Sequence, residues 1–179
     1  TAIATTTSNA SAKERHLQDI LSGYQSVLVA FSGGVDSAYL AIAAQRVLGA
    51  RALAVTADSA SYPDAHRQLA LSIARQFGFA HEIIATNELS RPEYRANPAN
   101  RCYYCKDELY HHLKAVADAR GLSVIVDGNN ADDRGDYRPG RQAAREHGVK
   151  SPLDEAGLTK DEIRALAREA GLESWNEPA

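Results

Sequence analysis

Four short apolar runs recur along the chain: VLVAF (27–31), ALAVT (52–56), EIIA (82–85) and VIVD (124–127). Between them, near 37–48, 63–77 and 103–120, apolar residues return every three or four positions. Runs of the first kind suit strands buried on both faces, and the second spacing is helical. Strand alternating with helix predicts a parallel sheet joined by right-handed crossovers. The expected fold class is therefore α/β: a doubly wound parallel sheet of about five strands in a three-layer α/β/α, Rossmann-like arrangement.

Two further helices bracket this pattern. From Lys13 onward, Leu17, Ile20, Leu21 and Tyr24 share one face. In TKDEIRALAREAG, Thr159 can cap, Glu162 completes a capping box, Ile163, Leu166 and Ala167 form the apolar face and Gly171 stops the helix. Residues 1–12, rich in Thr, Ser and Ala, are expected to be a disordered tail, which leaves 13–179 as one domain.

Composition narrows the class. Hydrophobic residues make up 44% and charged residues 24% of 179, and no apolar run approaches the roughly 20 residues of a membrane span. A net charge of −3 and a pI near 6.1 supply no basic field, so nucleic acid is not an expected partner. Cys102 and Cys105 are too few for a disulfide scaffold, and no signal segment precedes the fold, so a cytoplasmic location is expected. The pair leaves packing, metal or cluster binding and thiol chemistry open. His66, His81 and His147 read as surface histidines, and Tyr103 and Tyr104 as packing residues.

Directly behind the first apolar run stands SGGVDS, Ser32 to Ser37. In an open parallel sheet, ligands bind beyond the carboxyl ends of the strands, where a turn leads into a helix with free N–H groups. Gly33 and Gly34 allow positive φ and close backbone approach, and Ser32 and Ser37 add hydroxyls, so Ser32–Ser37, Val35 included, reads as an anion cradle. Asp36 suits such a cradle if a divalent cation, best magnesium, stands between it and the phosphates. The lysine of a Walker loop and the G-x-G-x-x-G of a dinucleotide fold are both missing here. After the fourth run, DGNNADDRGDYRPG brings Asp127, Gly128, Asn129 and Asp133 to the neighbouring carboxyl end as magnesium or substrate contacts, or as an Asx-rich turn. Arg138 is a candidate for a substrate phosphate.

SGGVDS after an apolar strand resembles the PP-loop signature of the ATP pyrophosphatases, which cleave ATP between the α- and β-phosphates. NPANRCYYCKDELY (97–110), DGNNADDRGDYRPGRQAAREHGVKSPL (127–153) and TKDEIRALAREAGLESWNEPA (159–179) are similar to the LarE family within that superfamily. The resemblance implies an ATP- and Mg2+-dependent sulfur transferase of nickel-pincer nucleotide cofactor biosynthesis. Its substrate would be a nucleotide-like small molecule with a carboxylate, adenylated with release of AMP and pyrophosphate. It further implies adenine contacts at Ala57, Asp58 and Ser59, and a homo-oligomer in the full-length protein. It also implies a sacrificial cysteine shortly after the stretch matching Trp175 and Pro178, which would lie beyond Ala179. An amide-forming ligase of the NAD or GMP synthetase type and a noncatalytic ATP-binding module are the competing expectations.

Overall fold

The structure, a computed structural model, describes residues 2–58, 63–85, 101–133 and 139–175, with backbone only for 2–8, 101–106 and 139–142. Four strands form one parallel sheet: β1 (Val27–Ala30), β2 (Ala52–Asp58), β3 (His81–Ala85) and β4 (Val124–Val126). Their spatial order is β3-β2-β1-β4. The helices are α1 (Ala2–Ser22), α2 (Val35–Leu48), α3 (Asp64–Phe77), α4 (Arg101–Arg120), α5 (Pro139–Glu146), α6 (Pro152–Glu155) and α7 (Lys160–Glu169).

Alternation along the strands sorts the core into two layers. Val27 and Val29 of β1, Ala52 and Ala54 of β2, and Val126 of β4 pack with α1, α2, α3 and α7 on one face. Leu28, Val55 and Ile125 meet Tyr110, Leu113 and Ala117 of α4 and Ala143 and Ala144 of α5 on the other. Burial of both faces explains why these strands read as continuous apolar runs. Helix α2 is apolar almost all round, and ten of its residues, from Val35 to Leu48, are buried because the sheet, α1 and α7 enclose it.

Three expectations change. Among the described residues the sheet has four strands, not about five, extended by a single parallel bridge, Val126 to Lys150, in which Asp127 N–H donates to Lys150 O and Lys150 N–H to Ile125 O, both at 2.9 Å. β3 is not buried on both faces: among the described residues it pairs with β2 alone, and Ile83 is 37% exposed. Helix α1 starts at Ala2 instead of Lys13, so most of the expected tail is helical, and Ala10 is buried in the core. No described helix is long and apolar enough to cross a membrane.

Leu17, fully buried where α1 meets the core, tests that docking. Leu17→Ala is expected to cost about 2–5 kcal/mol, read as a lower urea midpoint. A loss below about 1 kcal/mol would mean that α1 contributes little to the fold.

Candidate functional site

The strand order reverses between β1 and β4, so the loops leaving their carboxyl ends diverge around a crevice. The loop after β1 is Phe31–Gly34, and the loop after β4 begins at Asp127. At Gly33 φ is +88°, a conformation that favours glycine, and a Cβ there would lie 3.3 Å from His66 O of α3. Gly128 is required for a different reason: its Cβ would stand 2.9 Å from Ser37 N, against backbone that cannot yield. The two loops thus touch main chain to main chain at the first turn of α2.

Hydroxyls hold the first loop in shape. Ser37, buried, accepts the Ser32 N–H at 3.1 Å and lies 3.1 Å from the Ser32 hydroxyl. The N-cap of α2 is Gly34, which has no side chain to cap the first-turn amides. Those amides stand at the positive end of the helix dipole, an arrangement that can accept an anion.

Asp36, on that same turn, is the meeting point of three segments. One carboxylate oxygen accepts from Lys160 Nζ at 3.0 Å, and the other accepts from Asn130 Nδ2 at 3.0 Å. The Asp36 and Lys160 side chains are only 16% and 18% exposed, so the pair is largely withdrawn from water. Asn130, itself buried, gives its backbone N–H to Asp133 Oδ2 at 2.9 Å, so Asp133 joins the site through Asn130.

Lys160 is fixed by the start of α7. The capping box forms as its sequence predicts: Glu162 N–H donates to Thr159 Oγ1, and Glu162 Oε1 accepts from Thr159 N–H and hydroxyl. Lys13 of α1 donates to the same oxygen at 2.7 Å, and the Lys160 N–H donates to Asp132 Oδ2 at 2.9 Å. Burial works to raise the Glu162 pKa, but the Lys13 ammonium and the Thr159 amide and hydroxyl outweigh it and hold the carboxyl below its usual value.

Behind the second loop, buried Asp127 gathers its own donors. It accepts from Ser151 Oγ at 2.7 Å, from Asn129 N–H at 3.1 Å and Nδ2 at 3.0 Å, and from Tyr110 OH at 3.4 Å. Burial, and then the Asp127 charge, push the Tyr110 hydroxyl pKa up, which keeps it a donor. This network sets the backbone that carries Gly128 to Ser37.

The structure therefore gathers Ser32, Gly33, Gly34, Asp36, Ser37, Gly128, Asn129 and Asp133 at the carboxyl ends of β1 and β4, while the Val35 side chain turns into the core. Ala57 and Asp58 end β2, where Arg67 engages the Asp58 carboxylate at 2.5 Å. Ser59, Arg138 and the side chains of Cys102, Tyr103, Tyr104 and Cys105 lie outside the described residues. Two histidines differ from the surface expectation. His147 pairs with Asp107 at 2.8 Å. Half-buried His81 lies 2.7 Å from Thr56 Oγ1, and burial lowers its pKa.

Sequence reasoning missed Lys160 and Asn130. Lys160 carried a signal: it is the first residue of α7, where a cation opposes the helix dipole. Such a placement is unfavourable without an anion nearby. Asn130 left no comparable trace within its Asx-rich loop.

Fold and loop together define the class, a PP-loop nucleotide-binding α/β domain. The chain belongs to the NAD synthase family, whose model matches residues 11–100. Over 93% of its length it is 44% identical to an uncharacterized protein of Synechocystis sp., covering 62% of that protein. The resemblance to the LarE family is borne out by 37% identity, over 93% of this chain and 61% of the relative, to pyridinium-3,5-bisthiocarboxylic acid mononucleotide synthase of Lactiplantibacillus plantarum. The chain thus spans about three fifths of these curated relatives. Among solved structures, NMN synthetase of Francisella tularensis shares the fold with a TM-score of 0.73 at 18% identity, covering 95% of this chain and 75% of that one. The NH3-dependent NAD synthetase of Campylobacter jejuni gives a TM-score of 0.70 at 18% identity, with 92% and 75% covered.

Gly128→Ala is expected to lose about 1–3 kcal/mol in chemical denaturation, because main chain must move to admit the methyl group. An unchanged midpoint would show that the two loops can separate freely. Glu162→Ala should cost about 1–2 kcal/mol at neutral pH, from the lost cap and the lost Lys13 pair. Because the folded Glu162 carboxyl titrates below its unfolded value, its contribution is fully present above the unfolded value and is lost as the pH falls through the folded one. The gap between wild-type and variant midpoints should therefore narrow with acidification; a pH-independent gap would contradict the ionic part.

Proposed function

We propose that this chain is the ATP pyrophosphatase domain of a longer sulfur transferase. It would adenylate a carboxylate of a nucleotide-like small molecule for nickel-pincer nucleotide cofactor biosynthesis, releasing AMP and pyrophosphate. The observation that carries the reading is the convergence at one helix terminus of the uncapped PP-loop amides with the Asp36–Lys160 pair. Identity to the bisthiocarboxylic acid mononucleotide synthase supports the substrate class.

In this reading the amides of Gly33–Ser37 and the Ser32 and Ser37 hydroxyls hold the β- and γ-phosphates of ATP. Ala57, Asp58 and Ser59 meet adenine, chiefly through backbone, while Gly128 and Asn129 line the opposite wall. Lys160, paired with Asp36, would turn its ammonium toward a bound phosphate. Asp36, backed by Asn130 and Asp133, is the residue to hold Mg2+. Bound there, magnesium would offset the charge that builds on the departing pyrophosphate.

The chemistry asked of the protein is then positioning and electrostatics. A substrate carboxylate oxygen attacks the α-phosphorus, the bond from that phosphorus to the bridging oxygen breaks, and pyrophosphate leaves with its electron pair. A sulfur nucleophile next attacks the acyl carbon and expels AMP. Arg138 is assigned to the substrate phosphate. A homo-oligomer and a cytoplasmic setting complete the proposal.

The reading is tested with the full-length protein, ATP, Mg2+ and a pyridinium dicarboxylate mononucleotide. AMP and pyrophosphate should appear together with sulfur on the product. Ammonia-dependent amide formation would replace the reading with an amide-forming ligase, and nucleotide binding without turnover would reduce it to a binding module. Within the same assay Lys160→Met should weaken ATP binding about 10- to 100-fold, the range for a lost hydrogen bond to a charged group. Unaltered pyrophosphate release by the variant would remove Lys160 from the site.

A further inference from the structure

One peptide unit precedes the whole phosphate loop: that between Phe31 and Ser32. It is fixed from both sides. Its N–H is held by the Ser37 hydroxyl at 3.1 Å, and its carbonyl, Phe31 O, accepts from Thr56 Oγ1 at 2.9 Å. Rotation of this peptide would turn Gly33 and Gly34, and with them the amides that face the crevice.

Thr56 is 1% exposed, so no water can replace a lost partner there. A threonine hydroxyl has one proton, and here it goes to Phe31 O. His81 Nε2, 2.7 Å from the same oxygen, must then carry a proton and donate it. Were Nε2 bare, the Thr56 proton would turn to the imidazole and Phe31 O would be left unpaired. The ring is oriented by edge contact with Phe31, centroids 5.4 Å apart at 85°, while Phe79 meets Phe31 from another side at 5.4 Å and 87°.

We infer that His81, on the edge strand, is a positioning residue for the phosphate loop: its Nε2–H fixes the Thr56 hydroxyl, which in turn fixes the Phe31–Ser32 peptide plane. The residue reaches past β2 to Phe31 at the end of β1. The inference rests on the nucleotide-binding reading of the loop, but its first consequence appears without any nucleotide.

The test uses the full-length protein with His81→Phe, His81→Gln, Thr56→Val and the double variant His81→Phe/Thr56→Val. Phenylalanine keeps the ring contact without the donor, whereas glutamine restores an N–H near the Nε2 position. In the ligand-free wild type, nitrogen NMR should show His81 protonated at Nε2, and His81→Phe should shift the Ser32–Ser37 amide resonances in the same direction as Thr56→Val, with His81→Gln close to wild type. Calorimetry with the magnesium complex of α,β-methylene-ATP should then give about five- to tenfold weaker binding for either single variant, the size of one lost neutral hydrogen bond. The double variant should be no weaker than the singles, because both break one chain of contacts.

Loop resonances unmoved in a folded His81→Phe protein, an Nδ1–H tautomer, or losses that simply add in the double variant would overturn the inference, as would reduced melting temperature with unchanged nucleotide affinity. Failure of the wild type to bind the analogue would instead sink the nucleotide reading, and the ligand-free amide shifts would still decide the role of His81.

Discussion

A carboxylate on the first turn of a mostly buried helix must be compensated, and much of this structure follows from how Asp36 is compensated. Its side chain is largely withdrawn from water, where an unpaired charge would be costly. The partner charge comes from Lys160, far along the chain, and the second oxygen is met by buried Asn130 from the loop after β4. To bring those groups within 3.0 Å, α7 must begin at the mouth of the crevice. The capping box, the Lys13 contact and the Asp132 contact all serve to begin it there. Helix α1 contributes both Lys13 and the buried Leu17, so the N-terminal helix supports the site from behind.

The crevice itself is a consequence of strand order. Because β1 lies between β2 and β4, the chain leaves the carboxyl ends of β1 and β4 toward helices on opposite faces of the sheet, the place where open α/β sheets take ligands. Two glycines then set its dimensions: Gly33 by its positive φ and Gly128 by the contact that a methyl group would block. Since these constraints act on main chain, the amides at the start of α2 are held in place by the fold itself. That is the preorganisation the proposed binding of a highly charged anion would demand, and it suits the proposed reaction, which rests on holding charge.

Several of these features were legible in the sequence because their causes are local. SGGVDS carries its own turn, its own hydroxyl pair and its own helix start. Thr159 and Glu162 announce a capping box because both partners lie within one turn. The strands of the sheet centre are legible as continuous apolar runs because both faces are covered. Where the cause is distant, the reading fails or falls silent. His81 looks like a surface histidine on an exposed edge strand, and its role depends on a threonine in the neighbouring strand. The fifth strand reduces to one bridge, since Lys150 pairs with Val126 before the chain turns into α6. Helix α1 reaches back to Ala2, which its Thr- and Ser-rich start does not advertise.

The sequence alone determined the class of this protein: the α/β alternation, the phosphate loop and the candidate ligands on it. Periodicity, turn chemistry and capping are short-range, and short-range causes are written in adjacent residues. Only the tertiary structure decided which cation faces Asp36, why Gly128 is a glycine and how His81 bears on a loop two strands away. Each of these is a contact between segments that the chain separates and the sheet reunites, and its energy depends on burial that no local pattern records.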